Sequence, residues 1–181
     1  MPEGGDSYLT DFDDQMELVS KALGEEAKGE QLVDENEKAV EAVAAAHPEW
    51  EGKTITAATK TSEGWGAYVE DSERVDQLEA LGFEQNPAIS ALTPNAGGFS
   101  VDISSEQLDV IDADVIIAFP IFIETTEITD DPQWKAVPAV QAGHDLVIDG
   151  DVSSAYSLGT SLSRQYALDQ LVPLLEDATA N

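Results

Sequence analysis

Cysteine is absent from this sequence. Its absence excludes a disulfide framework, a thiolate metal site and a cysteine nucleophile, and it leaves the redox compartment open. Basic residues are scarce: 8 Lys and Arg stand against 37 Asp and Glu, a formal net charge of −29. A field of that sign repels free nucleic acid and anionic membrane surfaces, so neither is expected as a partner. No apolar run approaches the ~20 residues needed to span a bilayer. Nor does the start, "MPEGGDSYLTDFDD", have the basic-then-apolar layout of a signal peptide. Read literally, the chain is soluble and untargeted. A piece trimmed from a longer exported protein has the same appearance.

Catalytic signatures are missing too. "GWG" at 64–66 has no third glycine at dinucleotide-binding spacing, and no phosphate-cradling loop with its lysine occurs. "GTSLS" lacks the Gly-x-Ser-x-Gly elbow. The two histidines, His47 and His144, lie far apart and suit surface or packing positions better than a metal site. Carboxylate pairs such as Asp112/Asp114 and Asp130/Asp131 stand where turns and helix starts favour them. As an enzyme, the sequence is unpersuasive.

What is present is an ordered alternation. Apolar residues make up 42% of 181, enough for one domain with a sizeable core. From Thr10 to His47 the pattern is helical. Met16, Val19 and Leu23 share one side before Gly24; Leu32, Val33, Val40 and Val43 continue the stripe until Pro48 ends it. Gly24 makes this either one kinked helix or a pair. Residues 1–51 hold 15 acids and 3 bases, so the outer face of this region is strongly acidic.

After Lys53 the rhythm becomes strand then helix. "KTITAAT" is a β-branched strand followed by a loop, "KTSEGWGAYVED". Ser72 is placed to cap "ERVDQLEALGF", whose Val75, Leu78 and Leu81 face a core. The loop "NPAISALTPNAGGF" leads to "DISSEQLDVIDADVIIAFP". There Ser104 and Gln107 have capping-box spacing, Leu108 and Ile111 share a face, and "DVIIAF" reads as a strand buried on both sides. Pro132 and Pro138 each stand at the start of a helical turn. "HDLVIDGD" is a third strand, and "SSAYSLGTSLSRQYALDQLVPLLEDATAN" a loop entering a last helix. The expected class is α/β: three-layer α/β/α with a mostly parallel sheet, preceded by a long helical segment.

In such folds ligands meet the loops beyond the carboxyl ends of the strands. Those loops carry aromatics: Trp65 and Tyr68 after the first strand, Phe119 and Phe122 after the second, Tyr156 after the third. Aromatic rings there suit an apolar or π-rich ligand, or alternatively finish the core. Arg74 and Arg164, two of five bases after position 51, can meet a carboxylate or simply their own helix neighbours.

Taken in order, "TDFDDQMELVSKALG", "HPEWEGKTITAA", "LEALGFE", "ISSEQLDVIDADVIIAF", "DPQWKAVPAVQAGHDLVIDGD" and "SLSRQYALDQLVPLL" resemble one family. They look like the C-terminal half of the iron–siderophore substrate-binding proteins of ABC importers, from about residue 8 to residue 176. The resemblance implies a non-enzymatic, two-lobed protein that is extracytoplasmic, periplasmic or a cell-surface lipoprotein, and that holds its ligand in a cleft. Residues 1–51 would then be the tail and linking-helix region, and 52–181 the C-terminal lobe. No N-terminal lobe and no lipid-carrying cysteine precede the match, so a chain cut to that lobe is expected, with any lipid anchor on a missing segment. The implied ligand is a ferric siderophore, with iron arriving inside its chelator and no metal ligands or cofactor from the protein. Trp65, Tyr68, Phe122 and Tyr156 would be ligand contacts, with Arg74 or Arg164 for an anionic group. So few bases suit a neutral or cationic hydroxamate complex better than an anionic catecholate. "SSEQLDVIDADVII" resembles the family motif whose surface Glu pairs with arginines of the permease, which puts that role on Glu106, or else leaves it only complementing a helix dipole. Two alternatives stand beside this: haem or a corrinoid in the same fold, and a stand-alone acidic interaction module for a basic partner.

Overall fold

The computed structural model describes residues 10–180; the expectation that the start lacks a signal-peptide layout falls mostly on residues outside that range. Two helices come first, α1 (Phe12–Leu23) and α2 (Glu26–Ala46). Asp11 caps α1 by accepting from the Asp14 N–H, and Gly24 closes it in the left-handed conformation at φ 69°. That glycine makes two helices of the segment, packed as a hairpin, not one kinked rod.

The remainder is an α/β unit. Its strands are β1 (Thr54–Thr61), β2 (Gly64–Tyr68), β3 (Glu84–Gln85), β4 (Ser100–Ile103), β5 (Val115–Pro120) and β6 (Asp145–Val147). The helices are α3 (Glu73–Glu79), α4 (Pro87–Ser90), α5 (Thr126–Thr129), α6 (Pro138–Ala142), α7 (Gly150–Leu158) and α8 (Ser161–Thr179). The sheet order is β4-β2-β1-β5-β6. One edge of β1 pairs in parallel with β5, which pairs in parallel with β6. The other edge is divided: Thr54 and Ile55 meet β3 in parallel, while Ala58–Thr61 meet β2 antiparallel. The expected α/β/α layering is present, and three of the five strand pairings are parallel; the sheet is mixed because β2 adds an antiparallel part that was not expected.

The difference lies in the segment taken for a loop after β1, which holds β2. Gly64 at φ 141° turns the chain back on itself, and the strand then alternates Trp65 and Ala67 on one face with Gly66 and Tyr68 on the other. Two glycines hide that alternation from any hydrophobic count.

Strand alternation divides the core into two clusters. Ile55, Ala57, Val115, Ile117 and Phe119 pack beneath α2, α3, α7 and α8 with Leu78, Tyr156, Leu171 and Leu175. Ala58, Trp65, Ile116 and Ala118 face the opposite layer with Ile89, Leu108, Ile111, Ile128 and Trp134. Each cluster buries more than a dozen apolar side chains, and at roughly 1.5–3 kcal/mol for each large one this burial dominates the folding energy.

Three local expectations are corrected. Ser104 does not cap a helix: its hydroxyl donates to Gln107 Oε1 at 3.1 Å, and residues 105–111 form a 3-10 segment kinked at Gln107. Ser72 donates to the Val69 carbonyl at 2.6 Å instead of accepting from α3. Tyr156 belongs to α7, not to a loop. The capping box that does form joins Thr160 and Ser163 at the head of α8.

Candidate functional site

The helices above the first core cluster cover Ile55 and Ala57 but stop short of the last residues of β1. Beyond them the sheet face carries small side chains, with Thr59 and Gly66 buried, Thr61 half-buried and Asp102 exposed. Register places Thr59 opposite Gly66 and Thr61 opposite Gly64, and Gly66 in turn opposite Asp102 of β4. Directly paired residues share a face, so small side chains and two glycines form one floor. This floor lies in a bay of about 520 Å³, walled by Tyr68, Phe99 and Ile121 and rimmed by Glu63, Asn95 and Ser104. Gly66 is required: a Cβ there would lie 2.9 Å from the Val101 carbonyl oxygen.

The walls are built from the core outward. Tyr68 stacks between Phe99 (6.2 Å, 26°) and Phe119 (5.8 Å, 14°), with the Arg74 guanidinium 4.4 Å from its ring centre. Burial raises the Tyr68 phenol above its ordinary range, against the opposing charge of Arg74, so the wall is a neutral hydroxyl. Asn95 folds the loop that carries Phe99, donating through Nδ2 to Ser100 Oγ at 2.7 Å and accepting from the Gly97 N–H at 3.0 Å.

Beside the bay, the chain leaving β5 is pinned at both ends. The Ile121 N–H donates to the Lys60 carbonyl at 2.8 Å, and the Thr125 hydroxyl donates to Asp149 Oδ2 at 2.7 Å. Between these points Phe122 stands fully exposed with φ 58°, a backbone setting that costs an L-residue roughly 1–2 kcal/mol. An aromatic side chain that buries nothing, on strained backbone, is a common mark of a binding surface.

A single carboxylate ties the chain after α5 to β1 and β2. Asp131 Oδ2 accepts from Lys60 Nζ at 2.6 Å and from Trp65 Nε1 at 3.1 Å, while Oδ1 accepts from the Gln133 N–H at 2.8 Å. Lys60 also donates to the Glu127 carbonyl at 2.5 Å. Burial pushes the Asp131 carboxyl up, but the bonds from Lys60, Gln133 and Trp65 outweigh it and hold the group below the ordinary carboxylate range.

The expected contacts therefore separate. Tyr68 lines the bay and Phe122 projects beside it. The Trp65 ring turns to the opposite face, 3% exposed and stacked on Trp134 at 5.5 Å and 6°; only its position in β2 places it at the bay. Tyr156 is wholly buried, and its hydroxyl donates to the Arg74 carbonyl at 2.6 Å. Arg74 lies behind Tyr68 and donates to the Ser157 carbonyl at 3.4 Å. Arg164 lies on α8, 3.5 Å from Glu73 and 4.4 Å from the Phe12 ring centre, away from the bay. Glu106 is exposed on the 3-10 segment, beside a groove it shares with Leu108, Gln133 and Val137. Sequence reasoning missed Thr59, Gly66, Phe99 and Asp102; the one available signal was the G-W-G alternation next to a β-branched strand.

Among the described residues no group of three or more His, Asp or Glu is arranged to hold a metal ion, and no helix is long and apolar enough to cross a membrane. Neither histidine lines the bay: His47 stacks on Trp50 at 4.0 Å, and His144 precedes β6.

No protein of curated function matches this sequence. Among solved structures, the iron uptake ABC transporter substrate-binding protein PiaA from Streptococcus pneumoniae TIGR4 superposes with a TM-score of 0.74 at 25% identity, over 96% of this chain and 61% of that one. PiaA in complex with ferrichrome gives 0.76 at 24%, over 96% and 60%. FhuD2 from Staphylococcus aureus with bound ferrioxamine B gives 0.75 at 18%, over 93% and 66%. The likeness to the last two is one of fold, and the chain spans about three fifths of the length of PiaA. Residues 3–152 match the family described as Periplasmic binding protein. This chain belongs to that family, whose members bind ligands rather than catalyse reactions.

Proposed function

We propose that this chain is the C-terminal lobe of a substrate-binding protein that captures a ferric siderophore and delivers it to the permease of an ABC importer. The helical region up to residue 51 joins it to the rest of the molecule, and residues 52–181 form the lobe. The observation that carries this reading is the bay of about 520 Å³ at the end of the sheet, with Tyr68 and Phe99 as walls and the exposed Phe122 beside it. A bulky chelate presents apolar and π surface that such walls cover, and half of a cleft suits a ligand shared between two lobes.

Charge supports a choice of chelate. The ionisable groups lining the bay are Glu63, Asp102 and the neutral phenol of Tyr68, while the nearest cations, Lys60 and Arg74, are committed to Asp131 and to the Tyr68 ring. That surface favours a neutral or cationic hydroxamate complex over a polyanionic catecholate. Glu106 is the proposed docking carboxylate, exposed and held by a segment whose Leu108 and Ile111 are buried. A place of work outside the cytoplasmic membrane fits the family description, Periplasmic binding protein. The absence of histidine from the bay disfavours haem.

Calorimetric titration with iron-loaded and iron-free hydroxamate and catecholate chelators tests the reading. Saturable binding of a ferric hydroxamate, weakened at least tenfold by Phe122→Ala, is expected. Silence toward every ferric chelate, with an upstream lobe present as well as without it, overturns the proposal.

A further inference from the structure

Away from the bay, α2, α3 and α8 enclose a second, much smaller space of about 20 Å³. Its lining is mostly aliphatic, with Val40, Leu78, Leu168 and Leu171 among its residues, but three polar side chains enter it, one from each helix: Asn36, Gln77 and Arg164. Asn36 is only 6% exposed, and its Nδ2 is buried without a hydrogen-bond partner. An amide donor left that way costs about 1–3 kcal/mol, an unusual expense at a helix position where leucine offers the same branched heavy-atom skeleton without a donor.

The neighbours indicate what answers it. Gln77 commits its Nε2 to Glu73 and to the Tyr156 carbonyl, which leaves its carbonyl oxygen as the acceptor it can offer the cavity. Arg164 reaches Glu73 through Nε at 3.5 Å and lays its guanidinium over Phe12, so its remaining N–H groups are available there. A guest must accept from Asn36 and Arg164 and donate to Gln77. Water does both, fits a space of about 10–15 Å³ or more, and finds the two to four partners that internal waters need. A halide accepts but cannot donate, and it would enter against a net charge of −29 and the adjacent Glu73 carboxylate.

We infer that Asn36, Gln77 and Arg164 form a binding site for one internal water molecule, which bridges α2 to α3 and α8. Because Arg164 also holds Phe12, this water completes the polar anchor that fastens the α1–α2 hairpin to the α/β body. The hairpin is also attached through the apolar Ala39, Val40 and Val43, and through His47 at the end of α2, whose Nε2 lies 3.5 Å from Glu176 Oε1 on α8.

A near-atomic crystal structure with a parallel bromide soak, read together with the melting of Asn36→Leu, decides the matter. The expected result is a solvent peak within about 2.7–3.2 Å of Asn36 Nδ2, without bromide signal, and a variant that melts below wild type because two partners lose their bridge. Water-to-amide cross-relaxation at the Asn36 side chain, of the sign given by a long-lived water, reports the same site in solution. An empty cavity in the map overturns the proposal, as does bromide at the site. So does an Asn36→Leu variant that melts above wild type, since leucine would then have removed an orphan donor and filled a dry void.

Discussion

Gly29 of α2 lies against Ser20 of α1 so closely that a Cβ at Gly29 would stand 2.5 Å from the Ser20 Cβ and 2.6 Å from its Oγ. Ser20 is 7% exposed and donates to the Glu17 carbonyl, so it has little room to yield. Small residues at this crossing let two acidic helices pack despite their charge.

Gly29→Ala tests that contact. Alanine gains about 1 kcal/mol in helix propensity, whereas overpacking a tight contact costs about 1–3 kcal/mol. The steric term wins at a 2.5 Å approach, so the variant is expected to melt below wild type by circular dichroism. Adding Ser20→Gly to Gly29→Ala restores the space and recovers most of the loss. An unchanged melting temperature in the single variant would show that the helices separate at no cost.

How much of this was legible in the sequence depends on where the signal resides. The α2 stripe, the buried β5 run and the α3 face were readable because their apolar residues recur at helix or strand spacing. The bay was not, because its floor consists of Thr59, Gly64, Gly66 and Asp102, which carry no hydrophobic signal and align only once β2 folds back on β1. Tyr156 and Trp65 misled for the opposite reason: an aromatic next to glycine or serine in sequence looks exposed, yet one lies inside α7 and the other turns beneath the sheet. Phe122 was legible as a residue just past a strand, whereas its positive φ was not.

The Lys60–Asp131 pair makes a pH prediction. Asp131 has a folded pKa below its unfolded value of about 3.8. Its contribution is therefore fully present above the unfolded pKa and is lost as pH falls through the folded one. Lys60→Met leaves a carboxylate uncompensated at a site where the two side chains are 16% and 10% exposed, a cost of about 3 kcal/mol at neutral pH. Denaturant titrations from pH 7 to pH 2 should show the gap between wild type and Lys60→Met closing on the acid side. A gap constant with pH would mean that the lysine acts through its methylenes and its bond to the Glu127 carbonyl.

Asp76 has the opposite sign. Burial, followed by the charges of Glu79 and Asp71, raises its pKa to about 6, with Arg164 opposing. The folded state thus holds a proton that the unfolded state releases, so Asp76 costs nothing below the unfolded pKa, and its penalty grows as pH rises toward 6. Asp76→Asn should stabilise the protein at pH 7 by about 1 kcal/mol after allowance for solvent screening, a rise of roughly 2–4 °C in melting temperature. At pH 4 the same substitution should be neutral. Equal stabilisation at both pH values would assign the gain to hydrogen bonding and not to charge.

Phe122 joins stability to function. Because the ring is fully exposed and the backbone sits at φ 58°, removing the side chain loses no burial, and glycine relieves the strain. Phe122→Gly should raise stability by about 1 kcal/mol while lowering ferric-chelate affinity at least tenfold, about 1.4 kcal/mol. Phe122→Leu, which keeps the strain and half-restores the apolar surface, should fall between the two in affinity and show no gain in stability. The opposed directions matter because a residue retained only for folding cannot improve folding when it is removed. If Phe122→Gly proved both less stable and unimpaired in binding, the exposed ring would have a packing partner in solution, and the bay would lose its proposed ligand contact.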